Sequence, residues 1–300
     1  MKVIECKDEA AWLEARKTLL TASDVASIFG ANPFKSELAL WAEKTGAIES
    51  ADLSESEPVQ WGKEFQGAIG RRFAQKTGRE VEEAERFNIY VHPDVDFLGA
   101  TLDFWENDKA KGRGILEAKA TDFQWEEDAP AHYQIQLQCQ LAVTRIPYGT
   151  LCAFNGLKRP PVWIDYEAHP EFIKRLVSKA EAFWWRVQNK VAPPVENDTS
   201  ESTRQALAAL YPRDTGVQIA LPPEAIDWSK ELDQFKAQAK AIEDQIRARE
   251  NALKAAIGEA SYGVLADGSG WSWKEQVRID PPRPEPRETR FRVLRRVRGK

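Results

Sequence analysis

Along the chain, apolar residues recur first with the spacing of helices and then with the spacing of strands. Trp12 to Leu20 carry the helical period. Thr21 or Ser23 then caps a short helix that Gly30 ends, and Asn32-Pro33 marks a turn. A second short helix follows, with Ser36 as its cap and Gly46 as its stop. A long one runs from Pro58 to about Thr77 and closes at Gly78; Trp61, Phe65, Ile69 and Phe73 recur every four residues as its expected buried stripe. From Phe87 the pattern becomes that of strands: Phe87–Val91, Phe97–Trp105 and Gly114–Ala120 are short apolar runs between turn residues. Asp103 falls at the end of the second run. The stretch from His132 to Thr144 alternates Tyr-Gln-Ile-Gln-Leu-Gln-Cys-Gln, which taken alone is a strand pattern.

Tyr148–Phe154 and Val162–Tyr166 give two more strands, and 170–190 gives an amphipathic helix. The composition of 192–203 is that of a linker. Lys230 to Ile257 reads as a helix whose apolar stripe suits a helical hairpin, a short coiled coil, a partner surface or packing on its own domain. A hairpin follows, then a Pro-rich spacer and a basic, strand-like tail. The pattern predicts an α/β domain over 1–195, a linker over 196–229 and a C-terminal helix, hairpin and tail over 230–300.

Composition narrows the possibilities. Hydrophobic residues make up 42% of 300, as in a globular protein with a core. No apolar run is long enough to span a membrane, and the first residues lack an apolar signal core. The cysteines, Cys6, Cys139 and Cys152, are odd in number and far apart. That points to a reducing, cytoplasmic setting and leaves no zinc ribbon or iron–sulfur motif. Scattered histidines make any bound metal a hard, oxygen-liganded one. Net charge is −5, which argues against a general nucleic-acid coat but not against a nucleic-acid enzyme with local basic surface. The run from Arg283 to Lys300 holds eight basic and two acidic residues.

The unusual chemistry lies in the third strand. Glu117 and Lys119 are two residues apart, so strand alternation puts both on one face. Asp103 lies on the run before them. An Asp on one strand and Glu-x-Lys on the next is the layout of the PD-(D/E)xK nuclease core. Two carboxylates suit hard divalent cations, and a lysine beside them suits an attacking water and developing phosphorane charge. The bland alternative is a solvent-exposed strand face with an ion pair worth under about 1 kcal/mol.

Five segments then occur in order: "WLEARKTLLTASDVASIFGANPFKS", "WGKEFQGAIGRRFAQKTG", "GATLDFW", "ILEAKA" and "HYQIQLQCQLAVT". Together, over roughly residues 10–190, they resemble the lambda-type phage exonuclease family, also called the YqaJ-like viral recombinases. The resemblance implies a restriction-endonuclease-like α/β core, with a mixed central sheet flanked by helices. It implies a Mg2+-dependent exonuclease, with Mn2+ as a substitute ion, acting on double-stranded DNA from 5′ to 3′. By resemblance, Asp103, Glu117 and the backbone carbonyl of Ala118 are metal ligands and Lys119 is the catalytic lysine. Tyr133 and Gln136 match a Tyr-x-x-Gln on the following helix, so His132–Thr144 is expected to be helical against its alternation. As a helix it puts Tyr133, Gln136 and Gln140 on one side. Arg16 and Ser23 match the pair that holds the DNA 5′-phosphate. A single-strand annealing protein as partner and a homotrimer are also implied.

The chain departs from the family at one acid. Four residues after Gly62, where the family carries glutamate, stands Gln66; the nearby acid is Glu64. At about 100° per residue the two positions differ by about 200° around a helix, so Glu64 cannot replace it without rotation. The family's Pro-Asp-Gly is also replaced, by Leu102-Asp103-Phe104. A PD-(D/E)xK endonuclease and an impaired nuclease fold kept for DNA or protein binding therefore remain as alternatives.

Overall fold

The computed structural model describes residues 2–122, 124–125, 127–156, 158–277 and 292. They form two units, divided between Pro212 and Arg213.

The first unit begins with strand β1 (Lys2–Glu5), helix α1 (Glu9–Lys17), the two-residue strand β2 (Leu20–Thr21) and helices α2 (Ala22–Ile28) and α3 (Glu37–Lys44). Their ends follow local chemistry. Asp8 and Ser36 accept from the backbone N–H three residues on, and Thr21 forms a reciprocal capping box with Asp24. Helix α4 spans Glu57–Thr77 and stops where Gly78 turns left-handed. Then come β3 (Glu80–Glu83), β4 (Asn88–Val91), β5 (Leu98–Ala100), β6 (Phe104–Asp108) and β7 (Gly112–Ala120). Helix α5 (Ala131–Thr144), β8 (Tyr148–Phe154), β9 (Val162–Glu167), α6 (Pro170–Asn189) and α7 (Glu201–Leu210) complete the unit.

Two sheets result. One has the order β1-β4-β5-β2; the other, five-stranded, has the order β3-β6-β7-β8-β9. The larger sheet is mixed: β7 and β8 run parallel and every other pair is antiparallel. Parallel neighbours need a crossover, and α5 supplies it. The two faces of β7 divide the core. Ile115 joins the large cluster that also contains Leu137 and Leu141 of α5, while Leu116 joins Ile69 and Phe73 of α4 with Phe104 and Cys152. Full burial of each such side chain contributes about 1.5–3 kcal/mol. The unit is therefore the α/β core expected from the sequence, a mixed sheet with α5 against one face and α4 against the other.

Two glycines permit these approaches. A Cβ at Gly70 of α4 would sit 2.7 Å from the Phe104 ring, and one at Gly149 of β8 would sit 2.7 Å from Leu137 and 3.0 Å from the Ile115 carbonyl oxygen. Neither site has room for a side chain.

The structure departs from the sequence expectations in several places. The apolar run 97–105 is not one strand: β5 ends at Ala100 in the first sheet, β6 begins at Phe104 in the second, and Asp103 lies on the link between them. The stripe on α4 is incomplete, because Trp61 is 54% exposed while Ile69 and Phe73 are buried. Within the stretch that reads as linker, residues 201–210 form α7, whose Thr203 and Ala206 are buried and whose Ser202 hydroxyl accepts from the Ser36 N–H at 3.0 Å. His132–Thr144 is helical despite its alternation.

The second unit contains α8 (Ala225–Ile257), with no buried residue, and a hairpin of β10 (Tyr262–Val264) and β11 (Gly270–Ser272). The Pro-rich spacer and the basic tail lie outside the described residues, apart from Arg292. No helix among the described residues is long and apolar enough to cross a membrane.

Candidate active site

The site forms where two neighbouring strands part. Pairing of β6 with β7 ends at Phe104 and Leu116, while β7 continues beside β8 as far as Ala120 and Phe154. Past that point the N–H of Ala118 has no partner on β6. The Asp103 carboxylate takes it, accepting at Oδ2 at 2.9 Å. The link 101–103 thus does what a longer strand would otherwise do, and it brings a carboxylate to the edge of β7.

Alternation turns Glu117 and Lys119 to the α5 side, as expected. The Lys119 ammonium donates to Glu117 Oε1 at 2.7 Å and to Gln136 Oε1 at 3.0 Å, and lies 4.8 Å from the centre of the Tyr133 ring. Gln136 Nε2 donates to the same Glu117 oxygen at 2.5 Å. Gln140, fully buried one helical turn on, donates to Glu117 Oε2 at 2.7 Å and to the Thr101 carbonyl at 2.9 Å. The Tyr-x-x-Gln-x-x-x-Gln spacing of α5 explains this, because positions three and four apart share a face. A carboxylate offers about four acceptor sites. Three of those on Glu117 are used, and only one hydrogen bond among the described residues reaches the Asp103 carboxylate.

The electrostatics follow from this packing. Burial, reinforced by the Glu117 charge, pushes the Asp103 carboxyl well above the usual carboxylate range; Lys119 and the Ala118 N–H only partly offset this. The residue keeps a solvent-facing edge while its carboxyl lies in dense protein. Burial works to lower the Lys119 ammonium, but the Glu117 and Asp103 charges outweigh it and hold it above its ordinary value. Lys119 is an N–H donor to both Glu117 and Gln136.

A second cluster forms at the start of α2. The Arg16 guanidinium donates to Ser23 Oγ at 2.8 Å and Thr21 Oγ1 at 3.3 Å, and packs 4.5 Å from the Trp12 ring centre. Beneath it Asp24 pairs with Lys44 at 2.9 Å and accepts from Thr21 Oγ1 at 2.8 Å. Burial acts to raise Asp24, yet Lys44 and then Arg16 bring it down to about 2. The clusters are linked by chain. Thr21 pairs with Gly99 of β5, and Asp103 lies four residues beyond, at most about 14 Å of extended backbone.

Not every expected residue arrives at the site. Glu64 is exposed, as its helical angle requires, whereas Gln66 is half-buried on α4. Gln66 is one turn before Gly70 and so shares its face, the face that meets Phe104 beside Asp103. The sequence reading placed Gln140 on the helix side of Tyr133 and Gln136 without giving it a role, and it missed Asn155. Asn155 carried no signal: it follows β8, is 7% exposed, and among the described residues neither its amide nitrogen nor its amide oxygen has a hydrogen-bond partner. Thr121 N–H donates to the Phe154 carbonyl at 2.8 Å, so the β7–β8 ladder extends to this point. Alternation then sets position 155 on the Lys119 face.

Residues 11–147 match the model of the YqaJ-like viral recombinase domain. Over that stretch the chain is similar to YqaJ-like viral recombinases. A curated relative, the uncharacterized protein YqaJ of Bacillus subtilis strain 168, is 28% identical over 285 residues, or 90% of this chain and 85% of its own. Among solved structures, this YqaJ-like protein is similar to the alkaline exonuclease LHK-Exo of Laribacter hongkongensis, at 19% identity and a TM-score of 0.49, covering 67% of this chain and 100% of that one. A phage-related exonuclease from Haemophilus somnus 129PT is similar at 13% identity and a TM-score of 0.41, covering 63% and 92%. The family-model match spans Arg16, Ser23, Gln66, Asp103, Glu117, Lys119, Tyr133 and Gln136.

Proposed function

We propose that this chain is a Mg2+-dependent exonuclease that hydrolyses double-stranded DNA from 5′ to 3′. The observation that carries the reading is the gathering of Asp103, Glu117 and Lys119 where β6 and β7 part, held by Gln136 and Gln140. A surface ion pair would need neither the burial of Glu117 nor two glutamines donating to it.

The donor set fits a hard divalent cation. Asp103 and Glu117 offer oxygen atoms, and Lys119 only partly offsets the burial that disfavours the Asp103 charge. No group of three or more His, Cys, Asp or Glu side chains is assembled among the described residues, so the Ala118 backbone carbonyl and water would complete the shell. Mn2+ would substitute. Such an ion supplies Lewis-acid polarisation of the scissile phosphate. Lys119 orients the attacking water and offsets charge on the phosphoryl oxygens. Gln136 and Gln140 fix the Glu117 carboxylate, and Tyr133 limits the positions open to the Lys119 ammonium. Water adds to phosphorus, the bond to the 3′-oxygen breaks, and that oxygen leaves with a proton, releasing a 5′-mononucleotide. Arg16, with Ser23, would hold the 5′-phosphate by a charged fork. Product single strand would pass to an annealing protein, and a homotrimer would keep the enzyme on DNA.

One observation favours a second reading. Gln66 brings an amide where the family has an acid, which suits an impaired nuclease retained for binding. Digestion separates the readings. With Mg2+ the chain should shorten linear duplex DNA and leave closed circular plasmid intact, and EDTA should stop it. Cleavage of the circle would mean an endonuclease; no cleavage of either by folded protein would favour the impaired form.

A further inference from the structure

Across the sheet from Lys119 lies a groove that the proposed reaction does not use. It has a volume of about 560 Å3 and runs between α4 and the turn after β8, lined by Phe65, Ile69, Arg72, Phe154, Lys158 and Arg159. No carboxylate lines it. Lys158 and Arg159 are exposed, and no ion pair joins either, or Arg72, among the described residues.

Its walls carry a row of rings. Trp61 stacks on Phe65 with centroids 5.3 Å apart and planes 20° apart, and Phe65 lies 5.0 Å from Phe154. Trp61 leaves more than half of its surface in solvent. It is the member of the expected core stripe that the fold leaves outside the core, with one face on Phe65 and apolar surface left in water. The row ends beside the site: Phe154 pairs with Ala120, the residue after Lys119.

We propose that this groove is a subsite for single-stranded DNA. Unpaired bases stack on the open face of Trp61, which Phe65 and Phe154 back, and their phosphates lie along Arg72, Lys158 and Arg159. An open aromatic face beside unpaired cations is what a single strand requires; a duplex keeps its base faces covered. The choice of ligand rests on the nuclease reading, because a duplex digested from one strand leaves an unpaired strand at the site. An acidic peptide is the other polyanion with apolar groups. One exposed indole face suits it less than a deep apolar hole would.

The test is binding without cleavage. A fluorescent oligothymidylate about a dozen nucleotides long is titrated with the full-length protein in EDTA, and anisotropy is read for wild type, Trp61→Ala and the double variant Lys158→Glu/Arg159→Glu. All three positions are exposed, so the variants should melt with wild type. Stacking of about 1–3 kcal/mol per base predicts roughly 5- to 150-fold weaker binding in Trp61→Ala. The charge variant should also bind more weakly and lose about 1.4 from the slope of log K against log salt. Unchanged affinity in both variants, or no binding by wild type, overturns the proposal. So does an oligoglutamate peptide whose binding is lost in the variants while oligothymidylate binding is not. The nuclease reading is tested separately: it predicts that Glu117→Gln loses digestion while keeping oligothymidylate binding, and undiminished digestion would overturn it alone.

Discussion

At the scale of single residues, Glu117 and Lys119 were legible because burying a carboxylate and an ammonium on one strand face is costly, and few purposes other than chemistry justify it. Gln140 was half-legible, through spacing alone. Asn155 was not, since its two unpartnered amide atoms are a property of packing. Each such group carries a desolvation cost of about 1–3 kcal/mol, so Asn155→Leu should keep or raise the melting temperature; a clear fall would reveal a partner. Gln66 invites the opposite change. Gln66→Glu adds an acid on the α4 face that meets Phe104, the residue after Asp103, and should enlarge the rise in melting temperature produced by Mg2+. No enlargement would place position 66 outside the cation site. Asp24 gives a pH dependence whose sign is fixed. Its folded value lies below its unfolded one, so its stabilisation is present above about pH 4 and is lost as pH falls towards 2. The urea midpoint of Asp24→Asn should therefore lie below that of wild type at pH 7, and the gap should narrow below pH 4. A gap independent of pH would show that its charge contributes nothing.

At the scale of elements, most boundaries followed from caps and periods, and the misses have physical causes. The run 97–105 contains no proline or turn pair to mark the change of sheet at 101–103, so the break that sets Asp103 was invisible. The edge strand β3 reads Glu-Val-Glu-Glu, with one apolar residue to signal it. Residues 132–144 alternate as a strand would, yet they fold as the helix that a parallel β7–β8 pair needs as its crossover; topology overrides local pattern here. Helix α4 offers a sharp test of close packing. Gly70→Val drives side-chain atoms into the Phe104 ring, which is itself buried, and should cost about 1–3 kcal/mol. Gly62→Ala on the same helix meets nothing within 4 Å and should stabilise by about 0.4–1 kcal/mol. Equal effects of the two changes would contradict the packing of α4 on β6.

At the scale of the whole molecule, the acidic net charge gave no hint of DNA, since charge totals say little about local surface. The order of five weak motifs did, because each alone occurs by chance and their succession does not. The central claim is that Asp103, Glu117 and Lys119 form one hydrolytic site. The most direct measurement is nucleotide release from 5′-phosphorylated linear duplex DNA in Mg2+, with wild type compared with Glu117→Gln and Lys119→Ala of equal melting temperature. Release by wild type alone, abolished by EDTA, is the predicted result. Release undiminished in both variants would contradict the account.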